Sequence, residues 1–206
     1  MDLKQRILQE ASQLLYTIGP AAMTMDMVAR SCGISKRTLY EQFPDKKSLV
    51  KKCLIDEHVK CSREIKTIFE SAQNCFEALF GVFNFMRRGL ETTPATFYDD
   101  IKRLYPDLHC TLNEKSEHRR VAGLALVLSH AKEDGLVEKS INTKVASFLF
   151  YVTIKNLHRS KLYSKFGLTE IDVLHGAFVN FLRGVASAKG LELIKSYLQK
   201  KEKEIK

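Results

Sequence analysis

Apolar residues recur along this chain at offsets of three and four rather than two, a pattern that predicts helices nearly throughout and hardly any strand. Leu3, Ile7, Leu8, Ala11, Leu14, Leu15 and Ile18 form the first stripe, closed by Gly19-Pro20, and predict an amphipathic helix over about 3–18. Met25, Val28, Ala29 and Cys32 then follow Thr24, whose hydroxyl suits a helix N-cap, and Gly33 stands where a left-handed residue ends a helix. Ile34 leads to Ser35, a second capping residue, and in KRTLYEQF the pair Leu39 and Phe43 marks one face of a second short helix. Two short helices joined by a tight glycine turn make a helix-turn-helix. Neither is stable alone in water, so the first stripe is the surface on which they pack.

Further on, Asp45 is placed to cap a helix that runs without Gly or Pro from Lys46 through Leu49, Cys53, Val59, Ile65 and Ile68 to about Ser71. Its first turn holds Lys46 and Lys47, which oppose the helix dipole unless that end approaches an anion. Helices are then predicted over about 75–91, 96–105 and 106–134, the last ended by Gly135. Asn142 and Thr169 (with Glu170) are placed to start helices reaching about Tyr163 and Ala186, and a final one runs from about Leu191 into KKEKEIK, a tail expected to be frayed and solvated. The expected fold is all-α: an N-terminal three-helix helix-turn-helix head over residues 1–50, joined by a connecting helix to a C-terminal helical dimerisation and ligand domain over 51–206.

If Leu39 and Phe43 face inward, the rest of the second short helix is crowded by Ser35, Lys36, Arg37, Thr38, Tyr40 and Gln42, most of them donors to phosphate or base edges. Glu41 is the lone acid; its carboxylate either faces away from phosphate or accepts from a cytosine amine. Such a helix can lie in the DNA major groove. The 33 Lys and Arg against 24 Asp and Glu, a net charge of +9, favour a polyanionic partner, though a solvated basic surface has the same composition. Five cysteines, odd in number and without a C-x-x-C pair, argue against a disulfide framework or zinc site and for a reducing cytoplasm. No basic-then-apolar leader and no membrane-length apolar run is seen, so no membrane partner is expected. Scattered histidines and the lack of G-x-S-x-G, P-loop or dinucleotide glycine patterns exclude, as an expectation, a metal, a cofactor and an enzymatic role.

Thr24, Val28-Ala29, Gly33-Ile34-Ser35, Thr38-Leu39-Tyr40, Phe43, Lys46 and Leu49 together resemble the DNA-binding signature of TetR-like transcriptional regulators, a spaced T…IA…GVS…TLY…F..K..L pattern. By motif the resemblance covers about the first quarter of the chain; the remainder is similar to the family in length and layout. It implies a homodimeric regulator, most often a repressor, that binds a palindromic double-stranded operator and is released by a small-molecule effector, here unknown. It also implies that Thr38, Tyr40 and Lys46 hold phosphates. Thr24, a helix cap within the same signature, is counted with them as a DNA-binding residue.

Other roles stay open on the residues alone. Arg37, where the family often has a small residue, is the base-reading candidate, with phosphate the alternative. Lys36 reads a base or a phosphate; Gln42 reads adenine, binds phosphate or is merely solvated; Ser35 caps. Lys4 and Arg6 touch the DNA backbone or only water. A pocket is expected from Phe83, Met86, Phe97, Tyr98, Tyr105, Leu126, His130, Tyr151, Lys155 and His158, which mix apolar bulk with polar handles; Lys155, His158 and His130 suit an anionic or hydrogen-bonding group or lie on solvent. The apolar surplus on the last two long helices, Phe148 and Val152 on one and Leu174, Phe178, Phe181 and Leu182 on the other, is expected to form a dimer interface. Two rival readings are an architectural DNA-binding protein without promoter specificity and a regulator controlled by a protein partner.

Overall fold

A computed structural model of the protein describes residues 2–160 and 162–204, with the side chains of 111–116, 158–160 and 201–204 outside the description. Among the described residues there are ten α-helices and one 3-10 helix, with no strand beyond a single antiparallel bridge between Val137 and Ala186. Packing divides the chain into two compact units, Met1–Thr67 with Phe85–Glu114, and Ile68–Asn84 with Lys115–Lys206.

The first unit holds α1 (Leu3–Ala22), α2 (Met25–Ser31), α3 (Lys36–Gln42) and α4 (Lys46–Ser71) up to Thr67. It also holds the end of α5 (Cys75–Thr92), α6 (Phe97–Leu104) and the start of α7 (Pro106–Glu133). The predicted stop of α1 is real: Gly19 has φ 86° and interrupts the helical backbone before a last turn that contains Pro20. Ile7, Ala11 and Leu15 of α1, Val28 of α2, Leu39 of α3, and Leu49, Val50 and Cys53 of α4 meet in one fully buried core.

That core also takes in Phe97, Ile101, Tyr105 and Leu108. Spaced four, four and three apart, they form one apolar face, and this face lies on α1, where Phe97 stacks on Tyr16 with ring centroids 4.8 Å apart. Burial, and after it Glu57, pushes the Tyr16 hydroxyl well above its ordinary pKa. Periodicity shows that α6 is amphipathic but carries no information about its partner, so α6 was expected with the C-terminal domain. The packing units therefore do not coincide with the expected division at residue 50.

The second unit contains the remainders of α4, α5 and α7, then α8 (Thr143–Ser160), a 3-10 helix (Leu162–Phe166), α9 (Glu170–Val185) and α10 (Ala188–Glu204). Asn142 Oδ1 caps α8 by accepting from Val145 N at 3.2 Å. Thr169 caps α9 in a capping box with Asp172, rather than with Glu170. The helix expected to reach Tyr163 ends at Ser160 and gives way to the 3-10 turn before Gly167, whose φ is 69°. α10 starts three residues before Leu191 because Ser187 Oγ accepts from Gly190 N at 3.1 Å, and its backbone stays helical to Glu204 where fraying was expected. Stacked ring pairs build much of this core: Phe80 on Tyr197 at 4.0 Å, Phe83 on Phe178 at 4.5 Å and Phe150 on Phe181 at 4.3 Å.

Candidate DNA interface

Local chemistry shapes the helix-turn-helix at each junction. Thr24 Oγ1 accepts from Met27 N at 3.2 Å and starts α2. At its other end Gly33 N donates to Arg30 O and Ile34 N to Ala29 O, both at 3.0 Å, while Gly33 takes φ 62°. This paired closure needs a left-handed residue, and it turns the chain tightly while packing Ile34 against the core. Ser35 Oγ then accepts from Thr38 N at 3.0 Å to start α3. Leu39 is fully buried and Phe43 nearly so, which pins one face of α3 inward. The opposite face is thereby committed to solvent.

On that outer face Lys36, Arg37, Tyr40 and Glu41 are exposed, Tyr40 by 48%. Thr38 and Gln42 are half-buried at its margin, and Ser35 and Thr24 are exposed caps. Arg37 Nε donates to Glu41 Oε1 at 3.2 Å, and Lys36 Nζ lies 2.5 Å from Asp26 Oδ2 on α2. Asp45 Oδ1 caps α4 by accepting from Ser48 N at 2.6 Å. In the first turn of α4, Lys47 pairs with Asp107 at 3.3 Å, while Lys46 is half-buried and its ammonium pKa is lowered by loss of water. A partly dehydrated cation beside the free N–H groups of a helix start favours an approaching anion.

Two residues left open between the DNA backbone and water have partners within the protein. Arg6 Nη2 donates to Cys32 O at 3.0 Å, and Lys4 sits over the Phe43 ring at 5.7 Å. Both tie α1 to the helix-turn-helix, as does Ser31 Oγ donating to Glu10 Oε2. Sequence reasoning missed Asp26 and Glu10 because their partners lie on other helices; the available signal was only that Asp26 stands in the first turn of α2.

The pocket candidates fall in both units. Phe97 and Tyr105 belong to the core of the first unit, Met86 (52%), Tyr98 (61%) and Leu126 (59%) are exposed, and so is His130. Phe83 is covered by its stack on Phe178. Lys155 Nζ donates to Glu117 at 2.6 Å, and Glu117 is held below the usual carboxylate range first by Lys155 and then by Tyr151. Lys155 is thus paired with an acid. The side chain of His158 lies outside the described residues.

Among the dimer candidates, Leu174, Phe178 and Leu182 are buried inside the protomer, because the aromatic core takes up that face of α9. Phe181 is half-buried against Phe150, whereas Phe148 is 55% exposed and Val152 half-buried on α8. Val145 and Leu149 extend the exposed apolar face of α8. Beside it lies an open groove of about 410 Å³ between α8 and α9, lined by Thr153, Leu157, Leu168, Val173, Gly176 and Ala177 among others. Among the described residues no His, Cys, Asp or Glu cluster is arranged to hold a metal, and no helix is long and apolar enough to cross a membrane.

A buried anchor, two hydroxyl caps and a left-handed turn that present a polar, partly cationic helix define a helix-turn-helix DNA-binding protein. Residues 7–53 match the family described as "Bacterial regulatory proteins, tetR family". Over that N-terminal quarter the chain is similar to TetR-like transcriptional regulators. It is 22% identical over 154 residues to an uncharacterized HTH-type transcriptional regulator of Mycobacterium tuberculosis, covering 73% of this chain and 78% of the relative. Its fold is shared with a transcriptional regulator from Cytophaga hutchinsonii (TM-score 0.72, 18% identity, 89% of this chain and 98% of that one). It is shared as well with a TetR-family regulator from Agrobacterium tumefaciens (TM-score 0.69, 16% identity, 90% and 98%). The family and these relatives are regulators, not enzymes.

Proposed function

We propose that this regulator acts in the cytoplasm as a homodimeric repressor on a palindromic double-stranded operator, with Arg37 and Lys36 toward base edges and Thr24, Thr38, Tyr40 and Lys46 toward phosphates. The observation that carries the reading is the outer face of α3, whose exposed donors are aimed outward by the fully buried Leu39 behind them. Ser35 serves as the cap that sets the start of this helix, and Gln42, at the margin, is the lesser contact.

Support for a dimer comes from the exposed Val145, Phe148 and Leu149 of α8, an apolar surface that a lone protomer leaves in water. Small Gly176 and Ala177 beside the groove allow a partner's helix to approach closely. Two-fold symmetry then sets two α3 helices one DNA turn apart, about 34 to 36 Å. A small-molecule effector is proposed to act by population shift: binding better to a state in which α4 is tilted, it weakens operator affinity tenfold for each roughly 1.4 kcal/mol of differential affinity.

Selection of genomic DNA fragments by the purified protein at near-physiological salt tests the reading. One enriched palindrome beside a promoter is expected; diffuse enrichment that vanishes as salt rises would instead mark an architectural protein. Operator affinity that no small molecule changes, but a protein partner does, would move control to that partner.

A further inference from the structure

α3 carries two cations, and the folded protein sets an acid against each. Arg37 Nε donates to Glu41 Oε1 one turn further along the same helix, and Lys36 Nζ meets Asp26 Oδ2 in the first turn of α2. These four side chains contribute no net charge, although the whole chain carries +9. The Arg37 side chain is 90% exposed and that of Glu41 57%. An exposed pair of this kind contributes little to folding, so its effect falls on whatever approaches the helix.

We infer that Glu41 is a specificity-determining residue of the DNA interface, a conclusion that rests on the DNA-binding reading above. By accepting from Nε it leaves the guanidinium's two terminal nitrogens as the outward edge. That edge bonds O6 and N7 of guanine in parallel. The same carboxylate repels phosphate, so Arg37 does not settle on the backbone of an arbitrary duplex. On an operator the guanine acceptors lie in the groove and reward the held rotamer. On unrelated DNA, Arg37 finds neither a matching base nor an undisturbed phosphate. Asp26 restrains Lys36 in the same sense. The acids therefore weaken binding to unrelated DNA more than binding to the operator, and the ratio of the two affinities rises.

The test uses the full chain, an operator taken from the genomic selection and a scrambled duplex of equal length, with affinity read by fluorescence anisotropy across a salt series. Glu41→Gln keeps the shape and removes the charge. It is expected to tighten binding to the scrambled duplex about fivefold, in line with loss of an exposed ion pair. The log–log salt slope on that duplex should steepen by about 0.9, the increment of one added phosphate contact. Operator affinity should change less, and in an Arg37→Ala background Glu41→Gln should no longer alter discrimination. Equal tightening on both duplexes, or the same change in the Arg37→Ala background, overturns the inference and reduces Glu41 to a bulk charge. Wild-type protein that prefers no sequence overturns the DNA reading itself, whereas preserved preference with unchanged discrimination in Glu41→Gln overturns this inference alone.

Discussion

Gly190 offers a sharp test of how the second unit is held together. A Cβ placed there would lie 2.2 Å from Leu136 O, 2.9 Å from Phe76 Cε2 and 3.1 Å from Ala186 Cβ. The first of these is backbone and cannot rotate away. It belongs to the joint where Ser187 N donates to Leu136 O at 2.9 Å, Ser187 Oγ to Gly135 O at 2.6 Å and Lys189 Nζ to Asp134 O at 3.0 Å. Gly190→Ala gains at most about 1 kcal/mol of helix propensity. Against this, overpacking costs about 1 to 3 kcal/mol, and each weakened hydrogen bond in the joint adds about 0.5 to 1.5 kcal/mol. The net expectation is destabilisation by about 2 kcal/mol, read as a lower denaturant midpoint in urea with helicity followed by circular dichroism. Gly123→Ala on α7 is the control: no atom lies within 4 Å of its added Cβ, so it should be neutral to stabilising by up to about 1 kcal/mol. If Gly190→Ala matches or exceeds wild type while Gly123→Ala behaves as stated, the close approach of α10 to Leu136 is not what requires glycine.

Three further outcomes follow from the interface and the fold. Arg37→Ala should leave stability unchanged, since the side chain is 90% exposed, yet cost about 1 to 3 kcal/mol of operator binding and flatten preference at one position of each half-site; an unchanged profile over a randomised site refutes base reading. Ser35→Ala removes the acceptor of Thr38 N from a seven-residue helix and should cost about 1 kcal/mol in equilibrium denaturation; no measurable loss would show that packing of Leu39 alone sets the start of α3. Phe148→Glu places a carboxylate in the proposed interface of both protomers and should shift sedimentation toward monomer without loss of helicity, while wild-type protein that is already monomeric at micromolar concentration refutes the dimer.

What the sequence determined by itself is the set of features governed by neighbours in the chain. Caps at Thr24, Ser35, Asp45, Asn142 and Thr169, the left-handed Gly33 and Gly135, and the break at Gly19 all depend on contacts within about four residues. The outward set on α3 was legible for the same reason: Leu39 and Phe43, four apart, define the buried side and leave the other to solvent. Tertiary structure alone decided which apolar faces meet. Phe97 and Tyr105 have the composition of pocket residues but pack on α1, and Leu174, Phe178 and Leu182 have that of an interface but fill the protomer's own core. The pairings of Lys36 with Asp26, Arg6 with Cys32 and Lys155 with Glu117 likewise join different helices. The hydrophobic effect is non-directional: a periodic stripe dictates that a helix face is covered, whereas its partner is selected only when every face in the unit is packed at once.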